Sequence, residues 1–123
     1  MSKSINDVTK IIADFSNARG WTNDNPAHLL NAIFVEMGEL AEHYQWQENF
    51  DKYKEMTEAQ KTEIGFEYVD VIFFLFRLAE KSDIDIEKYF DKKLPKLSEK
   101  FKIGADHNKA QEDYRKTGKN KLY

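Results

Sequence analysis

Apolar residues return every three or four positions along most of this chain, the spacing of amphipathic helices. Ile5, Val8, Ile11, Ile12 and Phe15 mark one face of a first helix over about residues 4–19, ending at Arg19-Gly20. Trp21 to Asp24 is a polar connection. Asn25-Pro26 then supplies an N-cap followed by proline at the first helical position, opening a second helix over about residues 26–46. Residues 47–56 are charged and loop-like. Thr57, with Gln60 three residues on, has the pattern of a capping box and starts a third helix reaching about residue 81. Asp83 or Asp85 caps a fourth, over about 86–101, which Pro95 is expected to kink or divide. From Gly104 the chain is polar: Lys109, Arg115, Lys116, Lys119 and Lys121 stand among Asp106, Glu112 and Asp113. No repeat, low-complexity tract or strand pattern appears. The pattern predicts an all-α bundle of four to five helices in residues 1–103, followed by a weakly packed tail over 104–123.

The third helix changes this picture. From Val69 to Ala79 it is apolar nearly all round, interrupted only by Asp70 and Arg77. A helix of that kind needs cover on every side, which four helices of one short chain scarcely provide. Assembly into a dimer, or a tetramer built from dimers, is the expected remedy, with Phe73, Leu75 and Phe76 at helix or subunit contacts.

Composition excludes several classes of function. The 123 residues are 41% hydrophobic and 33% charged with a net charge of −3, so no basic face for polymeric nucleic acid is expected. The chain has no cysteine, which removes disulfides, thiolate metal sites and thiol catalysis. The amino terminus lacks the apolar stretch of a signal peptide, and the longest apolar run is about half the ~20 residues of a membrane span. A cytoplasmic protein without membrane contact is expected. There is no glycine-rich phosphate loop.

The informative chemistry is acidic. Glu36 with Glu39, and Glu67 with Asp70, are three apart, so each pair points from one face of its helix. At ~100° per residue, Leu29, Ala32, Ile33 and Leu40 fall within about 60° of Glu36, and Asp70 lies inside the apolar run. Most acidic pairs at this spacing are solvated, as Glu42, Glu48, Glu55, Glu58 and Glu63 are read to be. An acid in an apolar stripe is different, because burying a carboxylate is costly unless it is paired, protonated or bound to a cation. A hard divalent ion that prefers oxygen is the natural counter-charge for four such groups. Magnesium held by Glu36, Glu39, Glu67 and Asp70 is therefore expected, with manganese as a substitute. His43 follows Glu39 by four, not three, which departs from the Glu-x-x-His spacing of di-iron bundles and leaves it as an ordinary surface or interface residue.

Trp21, Pro26, Leu29 and Leu30, then Glu36-Met37-Gly38-Glu39-Leu40-Ala41-Glu42, Gln45-Trp46 and Glu67-Tyr68-Val69-Asp70-Val71 together resemble the MazG-like all-α nucleoside triphosphate pyrophosphatases. The single-domain dCTP-pyrophosphatase-like branch is the most similar. The family pattern is E-x-x-E, a spacer, then E-x-x-D, and the resemblance spans roughly residues 8 to 101. It implies that the four acids are magnesium ligands, that Trp21 and Trp46 wall a nucleobase pocket, and that Lys93 contacts phosphates. Phe74 stands where a dCTP-specific relative has tyrosine, Ile12 where that relative has a base-contacting histidine, and Leu97 and Phe101 replace a family asparagine and tyrosine.

The residue chemistry agrees with that implication. Magnesium lets an acidic cluster receive an anionic triphosphate and lowers the pKa of a bound water. Attack at the α-phosphorus would release a nucleoside monophosphate and pyrophosphate, with Glu39, or Glu36 beside it, orienting or deprotonating the water. A pyrimidine substrate such as dCTP, in the sanitation of nucleotide pools, is the expected use. Two other readings stand beside it: a non-catalytic helical assembly module, and a nucleotide or metal sensor that binds without turnover.

Overall fold

The Ser4 hydroxyl accepts the Asp7 N–H at 3.0 Å, while the Asp7 carboxylate accepts the Ser4 N–H at 2.8 Å. This capping box starts α1 (Ile5–Ala18) and satisfies two donors that would otherwise be orphaned. The computed structural model describes residues 2–45, 55–104, 112, 115 and 116. Asn25 caps α2 (Pro26–Tyr44) through its side-chain oxygen and the Ala27 N–H, with Pro26 at the first position as its fixed φ favours. Thr57 and Gln60 form the reciprocal box that opens α3 (Glu58–Lys81). The fourth helix, α4, runs Ile86–Lys100. All four helices fall within a residue or two of the ranges the hydrophobic pattern predicts.

Two of these helices close on a left-handed residue. At the end of α1 the Gly20 N–H bonds to Asn17 O and the Trp21 N–H to Ser16 O, both at 3.0 Å. That is a Schellman closure, and it requires a residue at left-handed φ, here Gly20 at φ 75°. Trp21 is thereby fixed directly after the left-handed glycine that closes the helix. Gly20→Ala is expected to cost about 1 kcal/mol in denaturant unfolding, because a Cβ is strained at that φ even in open space. The same closure ends α3, with Asp83 at φ 55° in the glycine position and Ile84 N–H bonded to Ala79 O at 2.8 Å. Asp83 therefore serves the end of α3 instead of capping α4.

The chain divides into two compact units, Met1–Asp85 and Ile86–Tyr123. In the first, α3 packs against both α1 and α2. Its buried apolar residues are Ile12 of α1, Leu29 and Leu40 of α2, and Ile64 and Ala79 of α3, joined by Ser16 and Arg77. No described side chain is less than 2% exposed, so this core is thin. Much of the apolar surface faces outward instead: Phe34 and Phe66 are each 67% exposed, with Leu30, Met37 and Val69 also open. In the second unit α4 continues through Pro95 and is not divided there; a proline inside a helix deletes one N–H donor while the turns on either side keep theirs. No residue of α4 is buried. Trp46, expected near the end of α2, and most of the tail lie outside the described residues. None of the helices is long and apolar enough to cross a membrane, among the described residues.

Candidate active site

Three of the four expected acids converge. A carboxylate oxygen from each of Glu36, Glu67 and Asp70 lies within 4.8 Å of the other two. Glu36 comes from the middle of α2, and Glu67 and Asp70 sit one turn apart on the facing side of α3. Glu36 and Glu67 are half-buried, and each has one oxygen, Oε2, that is buried without a hydrogen-bond partner among the described residues. The other oxygen of Glu67 faces His43 Nε2 at 3.8 Å, so this histidine stands at the site and not on an ordinary surface. Its place seven positions from Glu36, on the same side of α2, is the signal the sequence offers. Glu39 is exposed and stands outside the group of three, one turn along α2. Asp70 is also exposed, contrary to the burial its apolar neighbours suggest. Periodicity on one helix does not distinguish a packed interior from an open cavity.

Electrostatics reflect the crowding. Burial first, then a side-chain hydrogen bond with Glu39, then the charges of Glu39, Asp70 and Glu67, raise the Glu36 carboxyl above its ordinary value of 4.5. Ionising Glu36 is thus harder in the folded than in the unfolded chain, and the cost is complete above the raised folded value and fades as pH falls toward 4.5. Glu36→Gln is therefore expected to stabilise the metal-free protein at pH 7, by a margin over wild type that shrinks on acidification. Melting curves in chelator across that range check this, and a margin that grows toward low pH would contradict it.

Asp70 also borders a cavity of about 480 Å³ lined by Phe15, Trp21, Asp24, Phe73, Phe74 and Arg77. Two of the expected base-binding residues, Trp21 and Phe74, thus meet beside an expected metal ligand. Ile12 is buried in the core, and Phe15, one turn further on α1, reaches the cavity. The walls are aromatic and mutually oriented: Phe15 lies edge-on to Phe73 at 5.5 Å and tilted to Trp21 at 6.0 Å between ring centres. The α1–α2 connection that carries Trp21 is tied to α3 twice. Lys81 Nζ donates to Thr22 O at 2.6 Å, and Arg77 pairs with Asp24. Arg77 is only 8% exposed; burial lowers its pKa, and the adjacent Asp24 carboxylate offsets the cost of keeping a cation there. Asp24, Arg77, Phe15 and Phe73 are not among the site residues the sequence suggests. Lys93 lies on α4, in the second unit.

The sequence model of the MazG-like family matches residues 32–115, which include both acidic motifs. This chain belongs to the MazG-like family. It is similar to dCTP pyrophosphatase 1 of Rattus norvegicus, with 24% identity over 109 residues covering 87% of this chain and 64% of that protein. To the Homo sapiens protein of the same name it is 28% identical over 85 residues, covering 68% and 50%. The chain therefore spans less than two thirds of the length of either relative. A crystal structure of a pyrophosphatase from Archaeoglobus fulgidus matches with a TM-score of 0.71 and 27% identity, covering 83% of this chain and 95% of that one. The all-α architecture of this MazG-like chain is thus shared over most of its length with a solved pyrophosphatase.

Proposed function

We propose that this chain is a magnesium-dependent nucleoside triphosphate pyrophosphohydrolase acting on dCTP or another nucleotide, deoxy or ribo, with manganese able to substitute. One observation carries the reading: Asp70 belongs both to the acidic group and to the aromatic cavity, so a triphosphate and its base have adjoining places. The residues fit a divalent cation, since two buried carboxylate oxygens lack hydrogen-bond partners among the described residues and Glu36 is held away from ready ionisation by burial first and by neighbouring acids after it. Glu36, Glu67 and Asp70 would hold the ion, with Glu39 completing the set from the exposed side. Such an ion, when bound, offsets phosphate charge and acidifies a coordinated water.

The remaining steps fall to side chains. Glu39, with Glu36 beside it, accepts the proton of the attacking water. The water oxygen bonds to the α-phosphorus as the bond from that phosphorus to the bridging oxygen breaks, and pyrophosphate leaves with the bond's electrons. Trp21 and Phe74 stack the base; Trp46 and Lys93 are assigned base and phosphate contacts by resemblance to the family. Names of the similar proteins, dCTP pyrophosphatase 1 and a pyrophosphatase, support this chemistry.

Pyrophosphate release from a panel of nucleotides, with magnesium and with chelator, tests the proposal. Release from a pyrimidine deoxynucleotide only with the metal is expected. Binding without release would favour a sensor, and neither would favour an assembly module.

Self-association belongs to the same reading. Leu30, Phe34 and Met37 on α2 and Phe66 and Val69 on α3 leave large apolar groups in solvent, more than a stable monomer usually shows. Light scattering at micromolar concentration is expected to give a dimer or tetramer, and Phe34→Glu to shift it toward monomer. A monomeric mass for the wild type would overturn the assembly.

A further inference from the structure

One face of α3 carries Glu67, Asp70, Phe73, Phe74 and Arg77, positions separated by three and four residues. The acidic group occupies one end of that face and Arg77 the other, about 10 Å further along the axis at ~1.5 Å per residue. Between them lie the aromatic walls, and the guanidinium carbon sits 5.3 Å from the Trp21 ring centre, 5.7 Å from Phe74 and 6.0 Å from Phe73. The side chain is more than nine-tenths buried and lines the cavity. One terminal nitrogen is engaged by Asp24, while Nε is buried without a hydrogen-bond partner among the described residues. A buried donor left unsatisfied is unfavourable, and a ligand that satisfies it gains accordingly.

The class of that ligand follows from charge. Asp24 already neutralises the guanidinium, so the pair has no net charge with which to attract a second phosphate. The buried, unpartnered Nε–H is a directional donor among rings, which suits a neutral oxygen acceptor on a planar group. Resting on the nucleotide reading above, we infer that Arg77, positioned by Asp24, is a specificity-determining residue that donates to the ring carbonyl of the base. Cytosine has one such oxygen, O2, and adenine has none. The base edge is then read from α3 itself, at the end of the face opposite the phosphates. Asp24 acts through Arg77, as a positioning residue.

The test compares dCTP with its 2-thio analogue, in which sulfur replaces O2 and accepts hydrogen bonds poorly, using the full chain with magnesium. The wild type is expected to favour dCTP about tenfold in kcat/KM, through KM more than kcat. In the double variant Asp24→Asn/Arg77→Met, which removes donor and counter-charge together, the two substrates should converge. The magnesium-induced rise in melting temperature should persist. Asp24→Asn alone should narrow the gap partway. Equal use of both substrates by the wild type, which needs no variant to fold, overturns the inference, as does a tenfold preference surviving in the double variant. Release from dATP but not from dCTP would overturn it as well, whereas no release from any nucleotide of the panel would instead overturn the nucleotide reading beneath it.

Discussion

Asp70→Asn is expected to lower kcat/KM for pyrophosphate release by about a hundredfold or more, while making the metal-free protein no less stable than wild type. The two halves of this result have one cause. Without a cation, the carboxylates of Glu36, Glu67 and Asp70 repel across 4.8 Å or less. Removing one charge relieves the folded state, and Asn keeps the shape. With a cation the sign reverses, because the site loses an anionic ligand next to the aromatic cavity, and the loss of transition-state charge stabilisation is worth several kcal/mol. The wild type should melt several degrees higher in saturating magnesium, since binding at about a hundredfold over Kd adds roughly 2.7 kcal/mol to stability. Asp70→Asn should lose most of that rise, and Glu67→Gln should behave alike. Wild-type turnover in either variant would remove these residues from the site. Loss of activity with an undiminished magnesium shift would give Asp70 a role other than holding the ion.

The parts of this molecule legible in its sequence are those encoded locally. Asn25-Pro26 and the Thr57–Gln60 box announce helix starts because capping is settled within four residues, and both form as the spacing predicts. The acidic group is visible because three-residue spacing within an apolar stripe leaves few other uses for a carboxylate. The partners that complete the cavity depend on packing between elements. Arg77 appears in the sequence only as a break in an apolar run, and nothing local links it to Asp24 in the loop on the far side of α2. His43 beside Glu67 is likewise a contact between α2 and α3. Asp70 shows the converse: its neighbours along the chain suggest burial, but its carboxylate opens onto the cavity, since Phe73 and Phe74 leave space there instead of filling it. Family resemblance puts Ile12 at a base-contacting position, yet α1 turns it into the core and presents Phe15 instead.

Trp21→Ala is expected to raise KM for dCTP about ten- to a hundredfold with little change in kcat. Stacking of a base on an aromatic ring contributes ~1–3 kcal/mol, which corresponds to that range. The ring is available for it: Trp21 is 43% exposed, borders the cavity, and is braced on one side by Phe15. Its backbone is held by the closure at Gly20 and by the Lys81 and Arg77 ties from α3, so the wall is in place before substrate arrives. Because stacking is equally strong in the ground state and at the transition state, its loss should appear in KM and leave the chemical step alone. A side chain this exposed contributes little to the core, so the variant should fold and keep the magnesium-induced rise in melting temperature. Gly20→Ala supplies a graded comparison, disturbing the placement of the ring without removing it, and should raise KM by a smaller factor. An unchanged KM in Trp21→Ala would move the base to another wall, while a fall in kcat with KM constant would tie the tryptophan to the reacting phosphates.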